Sequence, residues 1–223
     1  MNTATPLRFM GWVIVLMIPL FALWFALGTL PAAPGFLLAR YALEWGLPDI
    51  VAGVSLEQTR MLVLTHFGEV DGALVSAEKA GYQLGYPVDT RLVSYSLPFY
   101  AALIFAARVP QAIERFCRGM VVLWLLMGIG LISIELKNLM LGLQNALYTH
   151  AAVPLPPPPV IALLYQLNTL IIPTLAPVLM WLWMARDSAL LQSLSGSPGQ
   201  VEADLAPDPA PDPAPDPDPA PKG

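Results

Sequence analysis

The residues of this chain that could do chemistry gather on two apolar stretches. Gly119–Leu143 carries Glu135, Lys137 and Asn138 near its far end. Val160–Met184 carries Tyr165, Gln166, Asn168 and Thr169 in its first half, and Pro173 and Pro177 in its second. Ionisable and amide groups inside hydrocarbon are costly, so by default they mark a ligand contact, a proton step or a bond to another helix. Each proline removes a backbone donor and frees a carbonyl one turn back, near positions 169 and 173. Counted inward from the outer helix ends, Glu135 lies roughly 12 Å below Leu143. Gln166 and Thr169 lie roughly 9–14 Å below Val160 by the same count. Glu135, Asn138, Gln166, Asn168 and Thr169 are therefore expected in one layer of the outer leaflet. With Tyr165, Pro173 and Pro177 they form a candidate interaction or ligand layer. The competing reading is ordinary interhelical hydrogen bonding, with Lys137 snorkelling outward and Glu135 pairing locally. Catalysis through Glu135 is a third.

Other chemistry finds no support. Cys117 is the one cysteine, so there is no intramolecular disulfide and no two-cysteine redox motif. It is expected on the face opposite His66 and His150, too far for a Cys–His pair. Neither histidine falls within a span, which argues against a buried haem, and no aspartate does, which argues against an intramembrane aspartic protease. No glycine-rich phosphate loop or metal-ligand cluster is present. No metal, cofactor or catalytic residue is expected.

These segments belong to a membrane protein. The 223 residues are 56% hydrophobic and 12% charged, with a mean hydropathy of +0.61. Soluble domains carry about 25% charged residues. The net charge of −5 comes from the last stretch, where Glu202, Asp204, Asp208, Asp212, Asp216 and Asp218 face one base, Lys222. The body is neutral, so no nucleic-acid partner is implied.

Four transmembrane helices are expected, at about 9–30, 92–107, 119–143 and 160–184. Small residues at Leu30-Pro31-Ala32-Ala33 raise the alternative of a cleaved signal peptide. The first apolar run is too long for that, so it reads as an uncleaved helix. Residues 31–91 read as a small periplasmic α/β insertion. Phe36–Leu47 is a short interfacial helix, with Arg40 and Glu44 on one face and Pro48 ending it. Arg60–Phe67 and Ala73–Ser76 flank the turn signal Asp71-Gly72 and predict a hairpin on the membrane surface. Gly81, Gly85 and Pro87 suggest that the rest of the insertion is loop. Gly128 and Gly130 permit close helix contact. Arg8, Arg108, Arg115, Arg118 and Arg186 cluster near helix ends on one side, which puts both termini in the cytoplasm. Residues 1–196 thus form the membrane domain, and 197–223 a disordered, Pro/Asp-rich cytoplasmic tail.

Three segments carry a family resemblance. Tyr165–Trp181, reading Y-Q-L-N-T-L-I-I-P-T-L-A-P-V-L-M-W, resembles the last-helix signature of the exosortase H-associated membrane proteins. Leu47-Pro48-Asp49-Ile50-Val51-Ala52-Gly53-Val54 resembles the segment after that family's first helix. Tyr95–Leu103 resembles the start of its second, with Ser96 where the pattern has glycine. The order and spacing fit over about residues 8–190. The resemblance implies an inner-membrane protein of Gram-negative bacteria, encoded beside exosortase H. Exosortases resemble transpeptidases that process C-terminal sorting signals on exported proteins. The resemblance implies no activity or catalytic residue for the associated protein. The expectation is an all-α membrane protein acting as a non-enzymatic accessory in sorting-signal protein export. Its partners would be membrane lipid and an exosortase-type membrane protein or its substrates. The alternative is a small-molecule or lipid-binding membrane protein that uses the polar layer.

Overall fold

The structure, a computed structural model, describes residues 6–184. Helix α1 (Pro6–Leu27) contains Pro19 and is apolar around its whole circumference. Among its described side chains only Phe9 and Val13 are buried. A 3₁₀ turn (Leu30–Ala32) leads into α2 (Ala33–Gly46), where Pro34 occupies the first turn and its missing N–H costs nothing. Phe36, Ala39 and Leu43 repeat at helical spacing and form the buried face of α2. Leu37, Leu38, Tyr41 and Trp45 face outward. Arg40 and Glu44 pair at 3.0 Å, and Glu44 also accepts the Val54 N–H, tying the helix to the sheet.

The sheet is antiparallel, in the order β1 (Val51–Glu57), β2 (Arg60–Thr65), β5 (Gly85–Asp89). Between β2 and β5 come a hairpin, β3 (Phe67–Val70) with β4 (Ala73–Ser76), and one turn of helix, α3 (Ala77–Ala80). Asp71 and Gly72 turn the hairpin with φ of 53° and 79°, the positive pair that this dipeptide favours. The pairing differs from the sequence expectation. Arg60–Thr65 is the central strand of the larger sheet, and Phe67 alone of the expected first strand enters the hairpin. Gly85–Asp89, expected as loop, is a strand. Pro87 is tolerated there because β5 is an edge and its missing donor interrupts no further ladder.

Next come α4 (Arg91–Ser94), α5 (Ser96–Ala106), α6 (Ala112–Leu143), α7 (Asn145–His150) and α8 (Pro158–Gln166). A wide π-helical turn (Leu167–Ile171) joins α8 to α9 (Ile172–Met184). Three stretches are long and apolar enough to cross a membrane: Leu7–Leu27, Ala112–Leu143 and Pro158–Met184. The expected second span is the shorter apolar helix Arg91–Ala106, roughly 24 Å long. The chain is a mostly helical membrane protein with a small sheet insertion.

α5 is buried almost all round because it packs against α1, α6 and α9 at once. Gly128 of α6 lies so close to α2 that a Cβ there would meet Leu38 and the Gly35 carbonyl. Gly130 lies against Val93 of α4, so the two glycines do allow close contact. At one end of the bundle, Phe9 stacks on Trp181 at 5.0 Å, Arg108 lies over Trp12, and the Arg115 side chain donates to the Met184 carbonyl. At the other end, Tyr86 of the sheet presses on Gly142 of α6, and Phe67 meets His150. At 32 residues α6 is about 48 Å long, well beyond a 30 Å hydrocarbon layer. Its C-terminal part carries α2 and the sheet. The expected tail, residues 197–223, lies outside the described residues.

Candidate functional site

The polar groups of the last helix are sorted by one backbone irregularity. Pro173 has no N–H for the Thr169 carbonyl, and its ring crowds that oxygen. The helix widens there, and the Ile172 N–H bonds the Leu167 carbonyl five residues back. Hydroxyls occupy neighbouring carbonyls. Thr169 donates to Tyr165 O at 2.7 Å, and Thr174 donates to Leu170 O and Ile171 O. The buried positions are Ile161, Asn168, Pro173, Pro177 and Trp181, so a step of five interrupts the steps of seven and four. A regular helix counted back from Pro177 and Pro173 would bring Thr169 and Gln166 inward. The wide turn brings Asn168 inward instead and leaves Gln166 on the outer surface.

Asn168 Nδ2 donates to Ser133 Oγ at 3.1 Å and to the Leu164 carbonyl at 2.8 Å. Ser133 in turn donates to Ile129 O. Asn168 Oδ1 is buried with no partner among the described residues. Beside it, Ser96, Val93 and Pro173 line a cavity of about 10 Å³, the size that holds one water. Gln166, by contrast, makes no hydrogen bond to any described residue. It sits between Leu163 and Leu170, which are 54% and 69% exposed.

The expected single layer therefore divides. Glu135 is fully buried, and neither carboxylate oxygen has a partner among the described residues. The local pairing suggested for it does not form. Lys137 instead lies 4.9 Å from the Tyr165 ring and 3.4 Å from Asn138 Oδ1, which binds α6 to α8 at their flank. Counted from Ala112, Glu135 is about 34 Å up α6, towards the end that meets the sheet. Tyr86 on β5 feels it: burial first, then Glu135 and Glu69, hold the phenol above its usual value of 10.0. Pro173 and Pro177 face the bundle interior, and Thr169 serves its own helix.

Ser133 escaped the sequence reading, though its spacing from Gly130 along α6 was a usable signal for a small-residue contact face. Ser96, the departure from the family's glycine, lines the Asn168 cavity and donates to Val93 O at 2.9 Å. Cys117 is exposed near the arginine-rich end of α6, while His150 lies at the sheet end. Among the described residues, no three His, Cys, Asp or Glu side chains gather as metal ligands would.

The family model of the exosortase H-associated membrane proteins matches residues 3–188. This chain belongs to that family. The match takes in every element from α1 to α9, the wide turn included, and stops short of the acidic tail. Comparisons with curated proteins and with solved structures give no match. In this exosortase H-associated membrane protein, the conspicuous amides are Asn168, whose Nδ2 is bonded inside the bundle, and Gln166 on its surface, which has no partner among the described residues.

Proposed function

We propose that this chain is a non-enzymatic accessory protein of the bacterial inner membrane. It would act beside an exosortase-type membrane protein in the export of proteins with C-terminal sorting signals. Family membership gives the direction, and Gln166 is the observation that carries the reading. An amide on the outer face of an apolar helix, with no partner among the described residues, is suited to a hydrogen bond with another protein's helix. Leu163 and Leu170 flank it at spacings of three and four, making a stripe on which such a helix could pack. In this reading the chain supplies no reacting group.

The same reading takes Arg91–Ala106 as a fourth span. Arg91 lies over Phe25 and Arg108 over Trp12, points roughly 20 Å apart along α1, and both side chains can reach outward to water. Four crossings and the clustered arginines favour cytoplasmic termini, with residues 31–91 and 144–159 in the periplasm. A photo-crosslinking residue at position 166 in native membranes tests the partner. Capture of an exosortase-type protein or a sorting-signal substrate is expected there, with little capture from Ile14 on the exposed face of α1. Lipid adducts alone at 166, or equal capture at both positions, would overturn the reading.

A further inference from the structure

Between α1, α5 and α6 lies an apolar groove of about 450 Å³, walled by Leu23, Trp24, Leu97, Ala101, Phe105 and Met120. It takes no part in the polar features described above. Its lining holds no charged side chain, so a hydrocarbon chain is a fitting occupant.

The sheet end of the groove carries a charge. Arg91 has its guanidinium carbon 4.4 Å from the centroid of the Phe25 ring and 6.0 Å from that of Trp24, which is itself part of the wall. Trp24 is held by its Nε1–H to Ser94 Oγ at 3.3 Å. Ring stacking uses the face of a guanidinium and leaves its edge donors free, the edge that takes a phosphate in two parallel bonds. No described residue accepts from those donors. The nearby carboxylate of Asp89 is engaged by the backbone N–H of Arg91 at 2.9 Å.

We propose that this groove and Arg91 form a binding site for an anionic phospholipid, with one acyl chain between α1, α5 and α6 and the phosphate on the Arg91 edge. The walls belong to the long apolar helices α1 and α6 and the shorter apolar α5, while Arg91 follows closely on the last strand of the sheet. That places a cation where a headgroup lies when its chain is in the hydrocarbon. The site is independent of the Gln166 stripe, which lies on α8.

The test uses the full-length protein, purified in detergent and stripped of lipid. Retention of phosphatidylglycerol is compared with that of phosphatidylethanolamine of identical chains by native mass spectrometry. Arg91→Gln should bind phosphatidylglycerol roughly tenfold more weakly and leave phosphatidylethanolamine unchanged, the loss of one charge-assisted pair. Arg91→Lys should keep the preference for the anionic lipid. Leu23→Trp, which fills the groove from an exposed position on α1, should weaken retention of both lipids. The variants are compared at wild-type helical content. Equal retention by Arg91→Gln and wild type, no preference between the lipids, or indifference to Leu23→Trp would overturn the proposal. Displacement by inorganic phosphate alone, or protein rather than lipid captured from a crosslinker at position 23, would do the same.

Discussion

The inward and outward amides of the last helix should answer differently to removal. Asn168→Ala deletes two hydrogen bonds, one to Ser133 Oγ and one to Leu164 O. Membrane side-chain bonds are worth about 0.6 kcal/mol on average and at most about 1.7. Ser133 keeps its bond to Ile129 O, so no new orphan is left on α6. The cavity beside Asn168 would grow by a few tens of Å³, which costs about 0.5 kcal/mol. Loss of the unpartnered Oδ1 offsets part of this, leaving a net destabilisation of about 1–2 kcal/mol. Gln166→Leu removes no bond to any described residue, so its stability should stay within about 0.5 kcal/mol of wild type. Reversible unfolding by steric trapping or in mixed micelles measures both. Co-isolation of an exosortase-type protein from native membranes supplies the second readout. Asn168→Ala should keep its partner in proportion to the folded fraction, and Gln166→Leu should stay folded and lose it. A loss of more than about 1 kcal/mol in Gln166→Leu, or undiminished co-isolation by that variant, would refute the reasoning.

Gly119→Ala should destabilise by about 1–3 kcal/mol, because the new methyl falls on the ring and hydroxyl of buried Tyr100, whose hydroxyl donates to Arg115 O. Gly11→Ala, with open space around it, should be neutral or slightly stabilising, and thermal unfolding in detergent compares the two. Tyr86 titrates above its usual 10.0, so the stability it contributes is complete below pH 10 and is lost as pH rises through the folded-state value. Denaturation followed above pH 10 should therefore be less steep in Tyr86→Phe than in wild type. Phosphatase fusions should be active at Ser76 and silent after Ser197, and the reverse pattern would invert the proposed orientation.

Much of this was legible in the residues. The three long apolar helices, the Asp71-Gly72 turn, the end of α2 before Pro48 and the family signature all depend on composition, spacing or a single turn dipeptide. The β2–β5 pairing was not legible, because it joins strands separated by a complete hairpin and a helix. No local rule says whether Arg60–Thr65 pairs forward with Ala73–Ser76 or across to Val51–Glu57 and Gly85–Asp89. The polar layer was read as one because depth along a helix follows from counting residues, whereas the facing of a side chain depends on every hydrogen bond in between. One widened turn moved Gln166 out and Asn168 in. Depth counted from a helix end is also a poor guide for Glu135, since α6 is about 48 Å long, well beyond a hydrocarbon layer of roughly 30 Å.

The widened turn also bears on which changes of chain length the protein can survive. Along most of a spanning helix, losing one residue rotates everything on one side of the cut by about 100° and scrambles its buried face. Between Leu167 and Ile171 the opposite holds. Asn168 and Pro173 are five apart across a turn that a regular helix closes in four, so a deletion there restores ordinary pitch with Ile161, Asn168, Pro177 and Trp181 still aligned. A relative one residue shorter here could keep the same bundle, whereas a deletion near Leu179 would pull Trp181 away from Phe9. The helix is one residue longer than its path requires.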